Sequence, residues 1–200
     1  YVLPSGFEQD AGIAEKFKYL VATGREIGSH TWGHDNLAQI GTPQITKSLT
    51  KLQAFINQQL GATYEVKTLA LPYGIGPKSE AGLASVVKGG SGATAYHHKA
   101  LMLVGANPAT SPYAKAYKPT AVARIQAIDS EFRNWFNRKP GSTAKVAEPW
   151  TPYVSDGDAA KVTFPAALKA KFNPASLAPG QSANPFDAKK VAAPVAAAPA

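Results

Sequence analysis

Gly28-Ser29-His30-Thr31-Trp32-Gly33-His34-Asp35-Asn36-Leu37 is the stretch from which the rest of the chain can be read. Arg25 to Ser29 is short, ends in small residues and suits a strand running into a loop. Two of the four histidines follow directly. A spacing of four puts two side chains about 40° apart around an α-helix, on one face. Two neutral imidazoles so placed can share a divalent ion such as zinc. Spacing alone leaves capping or packing open for either histidine. The metalloprotease pattern is excluded, because Thr31 stands where that motif needs a glutamate base.

Outward from this stretch, strands and helices alternate. Tyr1 to Leu3 reads as the end of a strand closed by Pro4-Ser5-Gly6. Ile13, Phe17, Leu20 and Val21 recur at helical spacing, with Gly24 as the stop. Downstream, Thr42 is the expected N-cap and Pro43 the first helical position. Ile45, Leu49, Leu52, Ile56 and Leu60 form one apolar face, ended by Gly61. Val66 to Leu71 reads as a buried strand stopped by Pro72. Ser79 to Val87 reads as a helix, and Ala100 to Val104 and Ala121 to Ile125 as strands. Ile128 to Arg138 reads as a helix carrying Phe132, Trp135 and Phe136. Such alternation predicts an α/β fold with a mostly parallel sheet, whose active groups gather at the C-terminal strand ends.

Composition narrows the class. The chain has 200 residues, 44% hydrophobic and 17% charged, which suits a globular domain. No apolar run approaches the roughly 20 residues of a membrane span. There are no cysteines, so disulfides, thiolate metal sites and cysteine nucleophiles are excluded. The formal charge is +8, but the basic residues are scattered, and no nucleic-acid motif accompanies them. From Asn173 onward Pro, Ala, Ser and Lys dominate. The expected division is therefore a domain over 1–172 and a flexible Pro/Ala-rich tail over 173–200.

The small residue, His-Thr-aromatic-Gly-His and Asn-Leu of the opening stretch resemble the second motif of the NodB-homology polysaccharide deacetylases. Leu69-Ala70-Leu71-Pro72-Tyr73-Gly74 resembles the family's third motif, with Ala70 where an Arg usually orients the catalytic carboxylate. The resemblance covers roughly residues 1–165 and is strongest between Gly24 and Gly74. It implies a distorted (β/α) barrel of the deacetylase type, incomplete at its N-terminus. It also implies His30 and His34 as ligands of a divalent metal, zinc above all. Thr31 would support the loop. The Tyr73 backbone N–H would belong to the oxyanion hole, and Pro72, Tyr73 and Trp32 would line the substrate groove, with Trp150 another aromatic for sugar stacking. The family's acidic pair, its general base and third metal ligand, has no counterpart here. The expected place for it is upstream of residue 1, and these residues alone are expected to bind metal weakly and turn over little substrate. His97 and His98 are read as surface or strand-edge residues. Asp156 and Asp158 sit in a Gly-containing acidic turn.

The implied activity is removal of N- or O-acetyl groups from an acetylated polysaccharide by an extracytoplasmic, monomeric enzyme with no nucleic-acid partner. The alternative is a catalytically inactive, deacetylase-like carbohydrate-binding or wall-associated protein.

Overall fold

In the computed structural model, residues 1–105, 107–131 and 157–187 are described. The expected helical residues Phe132 to Arg138, as well as Trp150 and Asp156, lie outside them. The chain forms two compact units: 1–109 with 118–128, and 110–117 with 129–200.

The first unit is built on a parallel ladder that follows chain order. Val2 bridges Ser29, Ser29 bridges Leu69, and Met102 bridges Val122. Between them β1 (Thr68–Ala70) pairs in parallel with β4 (Ala100–Met102), Leu69 opposite Leu101. The intervening β2 (Lys88–Gly89) and β3 (Tyr96–His97) form a separate antiparallel pair. The ladder runs in chain order, and helices lie in its first three crossovers: α1 (Ile13–Ala22), α2 (Thr42–Leu60) and α3 (Glu80–Val87). Among the described residues the sheets are small and do not close into a barrel.

The longest helix begins one residue earlier than its sequence signals suggest. Gly41, in extended conformation, is the cap, and Pro43 sits in the first turn. Gly61 ends the helix at φ 98°, a conformation that favours glycine. Ile45 and Leu49 of this helix pack with Leu69, Leu71, Leu101 and Val86. One turn on, Leu52, Phe55 and Ile56 pack with Phe17, Ile27 and Val66. One helix thus braces the sheet through two apolar clusters. Phe7, Phe17 and Phe55 meet edge to face, each pair of centroids 6.3 Å apart, a geometry that the ring quadrupoles favour. Gln53 interrupts the stripe yet is buried, because its amide is fully used. It donates to Asn57 Oδ1 and Tyr64 O, and accepts from Val66 N, which fixes the entry to β1.

α3 starts as expected, with Ser79 Oγ accepting from Gly82 N. His98 corrects the surface reading. It is 3% exposed, stacked on Tyr96 at 5.2 Å, with Nδ1 2.6 Å from Val86 O. A carbonyl can only accept, so Nδ1 carries the proton. His97 does stay near the surface, where Lys99 Nζ donates to its Nδ1.

In the second unit β5 (Lys161–Pro165) pairs in parallel with β6 (Ser182–Phe186). The stretch from Asn173, read from composition as flexible tail, therefore contains a strand. Its backbone is satisfied by the ladder, and Asn184 Nδ2 donates to Thr163 Oγ1. Phe164 stacks on Phe172 at 4.5 Å. A ladder of this kind needs few apolar side chains, which is why composition does not disclose it. Asp158 lies in a turn, bonded through Oδ1 to Ala160 N and through Oδ2 to Lys161.

Candidate active site

His30 and His34 come together, but not on a helix. Their ring centroids are 4.8 Å apart at 72°, and the chain between them is a turn. The cause lies in the ladder. Ala70 N donates to Ser29 O, and the Ala70 carbonyl faces the same neighbouring strand. Its next ladder donor would be Thr31 N. Thr31 instead turns into the left-handed region at φ 62°, and its N–H goes to Ser29 Oγ at 3.2 Å. The vacated carbonyl is taken by the His30 ring, Nδ1 to Ala70 O at 2.7 Å. Nδ1 is therefore the protonated nitrogen, and Nε2 keeps a lone pair for a ligand.

The loop then returns through a second left-handed residue, His34 itself at φ 59°. Thr31, fully buried, accepts from Asp35 N through Oγ1 at 3.0 Å, the local support expected of it. Ser48 on α2 ties the loop down, donating to Asp35 Oδ2 and accepting from Trp32 N. This tie carries no sequence signal and escapes the sequence reading. Removing it with Ser48→Ala leaves Trp32 N–H and the Asp35 carboxylate unpartnered. The expected loss is about 1–2 kcal/mol, read as a lower urea midpoint at unchanged m-value.

Tyr73 completes the group. Its ring lies 4.4 Å from that of His34 at 76°, and it is 58% exposed. Its φ is 58°. Thr31, His34 and Tyr73 are the three non-glycine residues with positive φ among those described. Each such residue stores on the order of 1 kcal/mol or more, and clusters of them mark functional loops. Of the other expected groove residues, Pro72 is buried. Trp32 lies against Phe55 at 5.9 Å, with Lys51 Nζ 3.9 Å above its ring. It belongs to the margin of the aromatic cluster.

Burial holds His30 below the usual imidazole range. The bond to Ala70 opposes this, and the charges of His34, Arg124 and the N-terminus add to it. His30 is thus neutral near pH 7, the state in which imidazole binds a metal. The pair fits as two donors of a metal site. Among the described residues no third His, Asp or Glu joins them. Asp35, the nearest acid in sequence, is bonded to Ser48.

Fold and site together describe an α/β protein with its candidate chemistry on loops at the C-terminal ends of parallel strands. Residues 7–85 match the family model of polysaccharide deacetylases, consistent with a NodB-homology protein. The matched segment encloses His30, His34 and Tyr73. The family is one of carbohydrate esterases acting on polysaccharides, and it is in general metal-dependent. No curated protein and no solved structure matches the chain. No helix among the described residues is long and apolar enough to cross a membrane.

Proposed function

We propose that this protein is a metal-dependent, extracytoplasmic deacetylase that removes acetyl groups from an N-acetylglucosamine-type or other acetylated glycan. The observation that carries the reading is that the family segment encloses two imidazoles 4.8 Å apart, one with its tautomer fixed by a backbone carbonyl. His30 and His34 would hold the ion, which we take to be zinc. When bound, such an ion polarises a carbonyl and acidifies water. Ala70 O keeps the His30 lone pair turned outward. The Tyr73 N–H, set by its left-handed backbone, would donate to the oxyanion that forms at the acetyl carbon. The exposed Tyr73 ring offers an apolar face for a sugar. The chain-ordered parallel ladder supports the (β/α)-barrel form of the fold.

The test is acetate release by the whole protein from N-acetylglucosamine oligomers and from acetylated xylan. Release that depends on zinc, stops with chelator and is lost in His34→Ala is expected. A zinc-loaded protein that binds these glycans without releasing acetate would overturn the enzymatic reading in favour of a glycan-binding one.

A further inference from the structure

Two donors of the histidine loop compete for one acceptor. In a regular parallel ladder the Ala70 carbonyl would take the Thr31 N–H, since Ala70 N already donates to Ser29 O. It takes His30 Nδ1 instead, at 2.7 Å. That exchange lasts only while Thr31 stays left-handed at φ 62°, a conformation that β-branched residues rarely adopt. Two bonds within the loop favour it: Thr31 N to Ser29 Oγ at 3.2 Å, and Asp35 N to Thr31 Oγ1 at 3.0 Å. Both move with the loop. From outside it, Ser5 N donates to Trp32 O at 3.2 Å, at a single point. Ser48 on α2 grips at two. Its Oγ accepts from Trp32 N at 3.0 Å and donates to Asp35 Oδ2 at 2.5 Å, so it spans the turn on both sides of Gly33 and His34. Ser48 cannot follow the loop, because Ile45, Leu49 and Leu52 around it on α2 are each 1% exposed in the core.

We infer that Ser48 is a positioning residue for the His30–His34 pair. It holds the turn in the form that leaves the Ala70 carbonyl to His30, so that the ring keeps its proton on Nδ1 and its lone pair on Nε2. The inference rests on reading the pair as the metal site. Without the Ser48 hydroxyl the turn relaxes, Thr31 N–H takes the Ala70 carbonyl, and the His30 ring is released to both tautomers.

The experiment uses the whole protein, metal-free, at a pH where imidazole is neutral. The His30 tautomer is read from its ring nitrogen shifts by NMR, and zinc affinity is then measured by chelator competition. Wild type is expected to show the Nδ1–H form alone. Ser48→Ala should show both tautomers and bind zinc about tenfold more weakly, the lower end of what outer partners of a metal site contribute. Ser48→Thr keeps the hydroxyl and should restore both readouts. Asp35→Ala cuts one arm of the tie at a part-exposed residue, and should move both readouts the same way by less. If Ser48→Ala does not fold, Asp35→Ala carries the test. A hydroxyl that served stability alone would lower the urea midpoint of Ser48→Ala and leave tautomer and zinc affinity at their wild-type values, and that result overturns the proposal. So does a Ser48→Thr protein that behaves like Ser48→Ala. A tautomer that responds to Ser48, in a protein that binds zinc no better than His30→Ala does, supports the positioning role and refutes the metal reading instead.

Discussion

Replacing His30 with alanine is expected to weaken zinc binding at least about a hundredfold. Partners one shell out from a metal typically change affinity 10- to 100-fold when removed, and His30 would be a direct ligand. Its effect is also not confined to one nitrogen. The ring occupies the Ala70 carbonyl at 2.7 Å and packs against His34. Its loss leaves that carbonyl without its partner and His34 with Tyr73 alone as a ring neighbour. His34→Ala should match it, and the double variant should be little worse than either single one, because one remaining imidazole does not make a site. His97→Ala is the control, since His97 interacts with Lys99 instead. Competition calorimetry with a chelator of known affinity gives the numbers. Wild-type affinity in His30→Ala would mean that the paired rings serve the loop and not a metal.

The structure brings the two histidines together, but not by the geometry that their spacing suggested. Four-residue spacing suggested a helical face, whereas the structure joins the rings through two left-handed residues. Thr31 and His34 are not residue types that announce φ near 60°. That conformation is held by side-chain bonds, Thr31 N donating to Ser29 Oγ and Asp35 N donating to Thr31 Oγ1. Those bonds join residues two and four apart, but they form only because the ladder holds Ser29 fixed. Ser48 is a longer-range case. It is an ordinary polar residue on the expected helix, and nothing in the sequence links it to a loop 13 positions away.

The fold was read better where periodicity is long. α2 has a buried stripe from Ile45 to Ile56, and its start was missed by one residue only. The strands were legible as apolar runs, but their extent was not. Val66 to Leu71 shrinks to Thr68–Ala70, although Lys67 O and Leu71 N at either end still bond to the neighbouring segment. β6 was missed because Ser182-Ala183-Asn184-Pro185-Phe186 has a tail-like composition, and its pairing with β5 is a matter of register. His98 was missed for the opposite reason. Histidine carries no burial signal, and only the carbonyl of Val86 and the ring of Tyr96 make its burial affordable.

That burial makes folding stability acid-sensitive well above the range where carboxylates titrate. Burial pushes the His98 imidazole down from 6.5 to about 4, with the Val86 bond opposing and the nearby His97 adding to the effect. The unfolded chain therefore takes up a proton on His98 at a pH where the folded chain does not. Stability is complete above the unfolded value, falls as pH drops from 6.5 towards 4, and levels off below that for this group. The difference between the two values corresponds to about 3 kcal/mol, a large share of the stability of a small domain. Urea unfolding of wild type between pH 7 and pH 4 should lose roughly that amount. His98→Asn places an amide N–H where Nδ1 stands, keeps a donor for Val86 O and removes the titration. It should be less stable at pH 7, because it fills less space beside Tyr96, yet lose distinctly less than wild type across the same window, the remainder belonging to His30. Asp10 and Asp158, whose carboxyls are held low by Lys16 and Lys161, respond only below the usual carboxylate range, whereas His30, also held down by burial, shares this window with His98. If the variant falls as steeply as wild type, the acid sensitivity belongs to another group, and the stacked His98 is no more than a core side chain.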